Sequence, residues 1–69
     1  MQKTIKLPVS GKVVKGRVSK VKDVRLVSDI SNDFEREVKL IGNLCEMTQE
    51  EIDDLDYGDY RALQKELLS

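Results

Sequence analysis

Histidine and tryptophan are absent from this chain of 69 residues, and cysteine and proline occur once each. Without histidine no side chain has its ordinary pKa near neutrality, so Ser-His triads, Cys-His dyads and histidine acid-base work are excluded. Cys45 has no second thiol to bridge to, which rules out a disulfide-stapled secreted scaffold and matches a reducing cytosol. No apolar run approaches the roughly 20 residues of a membrane helix. No charged-then-apolar leader opens the sequence either, so a soluble, intracellular protein is expected. Aromatic residues are also scarce: Phe34, Tyr57 and Tyr60 are the whole set, and none precedes Phe34.

What is present is charge, distributed unevenly. Up to Arg25 eight basic residues face Asp23 alone, whereas from Leu26 onward four basic residues face twelve acidic ones. Such asymmetry suits a basic end that meets nucleic acid, or two halves that attract each other within a molecule or between copies. The length allows one domain, residues 1–69, with a β-hairpin region over 1–20 and a helical region over 21–69. A core of this size is marginal without disulfide, metal or partner.

Ile5, Leu7 and Val9 alternate with Lys6 and Pro8, the period of a half-buried strand. Pro8 cannot donate to a ladder, which places this strand at an edge or ends it there. Ser10-Gly11 marks the turn, with Gly11 supplying positive φ, and Val13, Val14 and Val18 resume strand character. Gly16 reads as a bulge. A short helix is expected from about Asp23 to Ile30, with Leu26, Val27, Ile30 and Phe34 along one face. Ser31-Asn32-Asp33 offers a break and a cap, after which Phe34, Val38, Ile41 and Cys45, widened by Leu40 and Leu44, form a helical stripe.

Two helix starts then follow within a few residues. Thr48 and Glu51 have the spacing of a capping box, with Met47 and Ile52 at the staple positions. Asp56 repeats the pattern as a cap for the last helix through the amides of Gly58 or Asp59, with Leu55 and Tyr60 as its staple pair. That helix carries Tyr60, Leu63 and Leu67 on one side and Lys65 and Glu66 on the other. The fold class is therefore α+β: an N-terminal β-hairpin followed by three or four short helices in one compact domain.

Chemistry-bearing patterns are few. Cys45 lies in an apolar stripe and reads as a structural thiol. Asp54 to Asp59 has a calcium-loop flavour, but Gly58 occupies the third ligand position, where such a loop needs an oxygen, so no metal is expected. No cofactor is expected, and the chain does not read as an enzyme. The hairpin bases Lys6, Lys12, Lys15, Arg17 and Lys20 could track phosphates, but no aromatic lies among them for base stacking. Of the two tyrosines one reads as core and the other, Tyr57, as a contact anchor.

The run Thr48-x-Glu50-Glu51-Ile52-Asp53-x-Leu55-Asp56-x-x-Asp59-Tyr60-x-Ala62-Leu63-Gln64, behind a short β segment and a helical middle, resembles the small tail assembly proteins of Mu-like and related contractile-tailed phages and prophages. The resemblance runs from Met47 to Leu67, with Lys3 to Leu7 as lesser support. Between them members tend to carry a proline-containing stretch where this chain has Ser19 to Asp23, which leaves the start of the first helix open. The resemblance implies a non-catalytic chaperone of the host cytoplasm, not expected in the mature virion. It implies binding to the long, helical, apolar tape measure protein, with the tail tube protein as a further partner. A frameshifted longer form is common in that family, so this chain, ending at Leu68-Ser69, would be the short form. Leu40, Leu44, Tyr57, Leu63 and Leu67 are the expected partner-binding residues, and Thr48, Glu51 and Asp56 the structural caps. Self-association is open. The alternative is a small nucleic-acid-binding regulator that uses the basic hairpin, which a steep salt dependence would reveal.

Overall fold

The computed structural model describes residues 2–68. Two antiparallel strands come first, β1 (Gln2–Lys6) and β2 (Val13–Arg17), paired in regular register from Gln2 opposite Arg17 to Lys6 opposite Val13. β1 stops before Pro8, as the missing donor requires. The connection closes through Leu7 N–H to the Lys12 carbonyl at 2.8 Å and Gly11 N–H to the Leu7 carbonyl at 2.9 Å. Gly11 takes φ +77°, the conformation the turn demands of it. Gly16 sits in an unbroken ladder and makes no bulge. Its role is different: a Cβ there would lie 3.1 Å from both Cys45 Sγ and a Leu67 methyl, so the missing side chain lets two helices close on the hairpin. Of the expected inward row, Ile5 and Leu7 are buried, whereas Val9 lies beyond the strand end and is exposed.

Four helices follow: α1 (Val21–Leu26), α2 (Asp33–Cys45), α3 (Gln49–Asp53) and α4 (Tyr57–Leu68). α1 begins and ends earlier than its spacing predicts. Asp23 is not its first residue but its third, where the carboxylate reaches back to accept from the Lys20 amide at 2.8 Å. Lysine has no oxygen to return that bond, so only half of a capping box exists. After Leu26 the amides of Val27, Ser28 and Ile30 bond three residues back, tightening the chain into a turn that stops the helix short of Ile30. Val27 is buried whereas Leu26 and Phe34 are exposed, so the expected face of Leu26, Val27, Ile30 and Phe34 is not a single buried one.

The other helix starts follow local chemistry. Asn32 Oδ1 accepts from the Glu35 amide at 2.9 Å and caps α2. α2 ends on Glu46 in the left-handed conformation, φ 55°, with the Met47 amide bonded to the Gly42 carbonyl at 2.9 Å. Thr48 Oγ1 accepts from the Glu51 amide at 3.1 Å while the Glu51 carboxylate accepts from the Thr48 amide at 2.9 Å. At the α4 start the Asp56 carbonyl accepts from Tyr60 N–H at 3.0 Å, but the Asp56 carboxylate makes none of the described hydrogen bonds. The engaged carboxylate is that of Asp59.

One core joins hairpin and helices. Ile5 and Leu7 from the N-terminal region meet Val38, Ile41, Leu44 and Cys45 of α2, Ile52 of α3, and Tyr60, Leu63 and Leu67 of α4. Two buried carboxylates tie the hairpin to the helices, Asp23 to α1 and Asp59 to α4. Arg17 forks both guanidinium nitrogens onto Asp23, the second at 2.7 Å, and Asp59 accepts from the Val9 and Ser10 amides at 2.7 and 3.2 Å. The Arg17 bond, aided by the Lys20 amide, holds the Asp23 carboxyl well below the usual carboxylate range. For Asp59 burial pushes the other way, yet the turn amides together leave it lowered as well.

Both groups titrate lower when folded than unfolded, so their stabilisation is complete above the unfolded carboxylate value of about 4 and is lost as pH falls toward the folded values. The urea midpoint is therefore expected to fall between neutral pH and pH about 3, and an Asp23→Asn, Asp59→Asn double variant to show a flatter acid limb. An unchanged wild-type midpoint across that range would refute the assignment. Thr48→Ala is expected to cost about 1 kcal/mol in the same assay. Asp56→Ala, which removes no bond seen here, is expected to cost less.

Candidate functional site: an aromatic cleft

The three aromatic residues of the chain, separated by up to 26 positions in sequence, come together at one place. Asn32 starts α2 and so puts Phe34 on its first turn; α4 begins at Tyr57 and puts Tyr60 one turn further on. The Phe34 and Tyr60 rings are 5.8 Å apart and tilted at 55°, and the Tyr57 and Tyr60 rings are 6.5 Å apart at 22°. These separations lie within the range of favourable aromatic pairs. Tyr60 is the buried hub. Its hydroxyl donates to Glu37 Oε1 at 2.6 Å, and Gln64 Nε2 donates to the same carboxylate at 2.9 and 3.0 Å. Burial first, and the hydrogen bond to Glu37 second, push the Tyr60 hydroxyl above the ordinary tyrosine value, so it stays a neutral donor.

Around that hub two rings stand out into solvent: Phe34 is 57% exposed and Tyr57 66%. With Ile52 and Leu55 of the α3 corner they bound a cleft of about 160 Å³ floored by Tyr60. The Arg61 guanidinium carbon lies 6.0 Å from the Tyr57 ring centre, at the outer edge of cation–π range. An exposed apolar concavity backed by a pinned aromatic has the shape and chemistry to seat an apolar side chain.

The expected partner-binding residues divide accordingly. Tyr57 lines the cleft. Leu40 is half-buried in a separate groove beside Val24, Arg36 and Leu68. Leu44, Leu63 and Leu67 are in the core, Leu63 with no exposure at all, and the structure corrects their assignment to a surface. The reason is economy of apolar residues. In so short a chain the α2 and α4 stripes face each other under the hairpin, and every leucine at helical spacing on those faces is used to close the core. Phe34, read from spacing as part of the buried α2 stripe, stands exposed at the cleft instead, and its spacing to Val38 carried no signal of that.

The remaining candidates are spoken for. Arg17 is held by Asp23, and Lys3 Nζ donates to the Glu66 carbonyl at 3.0 Å with the Glu66 carboxylate at 3.8 Å, so part of the hairpin's basic charge is spent inside the fold. Asp59, the last acid of the calcium-like run, turns inward to the hairpin amides. Among the described residues no group of three or more potential ligands is placed to hold a metal ion. Cys45 is buried and burial pushes its thiol upward, away from the thiolate a nucleophile needs. No described helix is long and apolar enough to cross a membrane.

Comparison with known proteins gives one finding. A family described as "Phage tail assembly chaperone proteins, E, or 41 or 14" matches residues 12–68. The match covers most of the chain and every residue of the cleft, and the chain belongs to that family. No curated protein and no solved structure matches it.

Placing Phe34 and Tyr57 at a surface and Leu63 in the core makes a stability contrast. Phe34→Ser and Tyr57→Ser are each expected to cost less than about 1 kcal/mol in urea unfolding. Leu63→Ala is expected to cost about 2–5 kcal/mol. Equal losses from all three would show that the two rings belong to the core.

Proposed function

We propose that this member of the tail assembly chaperone family binds the tape measure protein through the aromatic cleft and keeps it soluble until tube subunits assemble around it. The single observation that carries the reading is the exposed pair Phe34 and Tyr57 over buried Tyr60, in a chain with no other aromatic residue. A holding chaperone needs apolar surface that is ordered enough to bind and small enough to let go. Family membership over residues 12–68 supplies the process, and the cleft supplies a surface of the right kind. The tail tube protein is a second contact in this proposal. The work belongs to the host cytoplasm, needs no cofactor and involves no catalysis.

The hairpin serves the fold in this reading. Its exposed Lys6, Lys12 and Lys15 steer encounter with acidic surfaces more than they hold a complex. The partner is expected to stay soluble when co-expressed with this protein and to precipitate without it. Phe34→Ser with Tyr57→Ser should shorten the lifetime of the complex, while Lys12→Glu with Lys15→Glu should alter association rate and salt sensitivity. Circular dichroism establishes folding of each variant first. If the lysine reversals alone abolish the complex, or the isolated protein binds duplex DNA tightly at physiological salt, the hairpin is the functional surface and a nucleic-acid regulator is the better reading.

A further inference from the structure

The cleft is bordered by carboxylates that make none of the described side-chain hydrogen bonds. Asp53 lines the cleft itself, and Asp54 and Asp56 flank its α3–α4 corner; all three are exposed. None takes part in an ion pair among the described residues, where the paired acids are Asp23, Asp33 and Glu66. Asp53 and Asp54 close α3, an end at which a helix dipole disfavours negative charge, so they do not serve that helix. Arg61, beside Tyr57, brings one positive charge against these three negative ones.

Resting on the chaperone reading above, we propose that the cleft recognises a helical segment with an apolar anchor side chain and a lysine or arginine one turn away. The volume of about 160 Å³ is close to the roughly 150 Å³ cavity that takes up a benzene-sized group, so one leucine or phenylalanine fills it. The site is built at the ends of three helices with no free strand edge beside it, which favours the helix-in-groove mode over strand addition. On a docked helix the neighbour three or four positions along lies about 6 Å from the anchor, within reach of the bordering carboxylates. The apolar anchor supplies the attraction, and the acidic border selects among apolar segments by charge.

The test uses synthetic alanine-based helices of about 18 residues, long enough to be partly helical alone. One carries leucine anchors with lysines one turn away, a second has glutamate in place of those lysines, and a third has serine in place of the anchors. Binding to the full chain is followed by NMR through the Phe34, Tyr57 and Ile52 side-chain signals. The lysine peptide is expected to move those signals and to bind up to about tenfold more tightly than the glutamate peptide at low salt, as two exposed ion pairs allow. That preference should shrink as salt rises and in the Asp53→Asn, Asp54→Asn, Asp56→Asn variant. Should this variant not fold, the salt series on the wild-type chain decides. The serine peptide should leave the signals unmoved. Equal or tighter binding of the glutamate peptide, or shifts confined to the hairpin, would overturn the proposal. So would sedimentation showing that the cleft is closed by a second copy. If co-expression keeps the tape measure protein soluble while the two charged peptides bind alike, the charge selection fails and the chaperone reading stands. If co-expression fails, the chaperone reading fails whatever the peptides do.

Discussion

The Asp59 carboxylate, accepting from the Val9 and Ser10 amides, is the contact on which the arrangement of the molecule depends. It joins residues 50 positions apart and ties the hairpin turn to the first turn of α4. The approach is close enough that a Cβ on Gly58 would lie 2.9 Å from a Val9 methyl, so the glycine and the aspartate act as one device. A buried carboxylate is costly unless its oxygens are bonded. Here backbone donors of the turn meet that need, and those donors in turn would lack partners without it. The adjacent residues Tyr57 and Tyr60 are set by the same fixed helix start, so the geometry of the cleft descends from the turn contact.

How much of this was legible in the sequence depends on how local each cause is. Asn32, Thr48 and Glu51 act within three residues, and their bonds appear as the spacing predicts. Gly11 likewise shows its positive φ. The boundaries of α1 were misread because Asp23 has two attractions: spacing suggested the start of a helix, while the structure gives it a place inside one, held by Arg17 from the strand. Gly16 was misread for the same reason, since nothing near it in sequence announces that Cys45 and Leu67 will press against it. Leu44, Leu63 and Leu67 carry the correct periodicity for an apolar face, and periodicity cannot say whether that face meets another helix or a partner. Asp56 and Asp59 show the limit most plainly. Both are acids at the start of one helix, and only the tertiary position of the hairpin turn decides which of them is engaged.

The division of apolar residues between core and cleft also explains why a small helical domain can hold a partner without losing its own fold. Aliphatic side chains fill most of the interior, from Ile5 and Leu7 through Leu67, with Cys45 and Tyr60 completing it. The aromatic residues are kept for the border between inside and outside, where tyrosine in particular combines an apolar ring with a polar end. Tyr60 spans that border. Its ring is the floor of the cleft and its hydroxyl is fixed by Glu37, which Gln64 fixes in turn. A substitution at Glu37 would therefore reach the cleft without touching it.

That pinning bears on the strength of the complex the cleft is built to make. Binding costs entropy for every side chain it must immobilise, and Phe34 and Tyr57 are already constrained by contact with Tyr60 before a partner arrives. On the proposed reading this lowers the ordering cost of seating an anchor residue. The same site is too small to bury the surface of a standard stable interface, roughly 800 Å² on each partner. A preorganised site of limited area combines ready capture with ready release. In the proposed role, where the partner must later be surrounded by other subunits, release is as necessary as capture, and a larger exposed leucine face would have secured the second at the expense of the first.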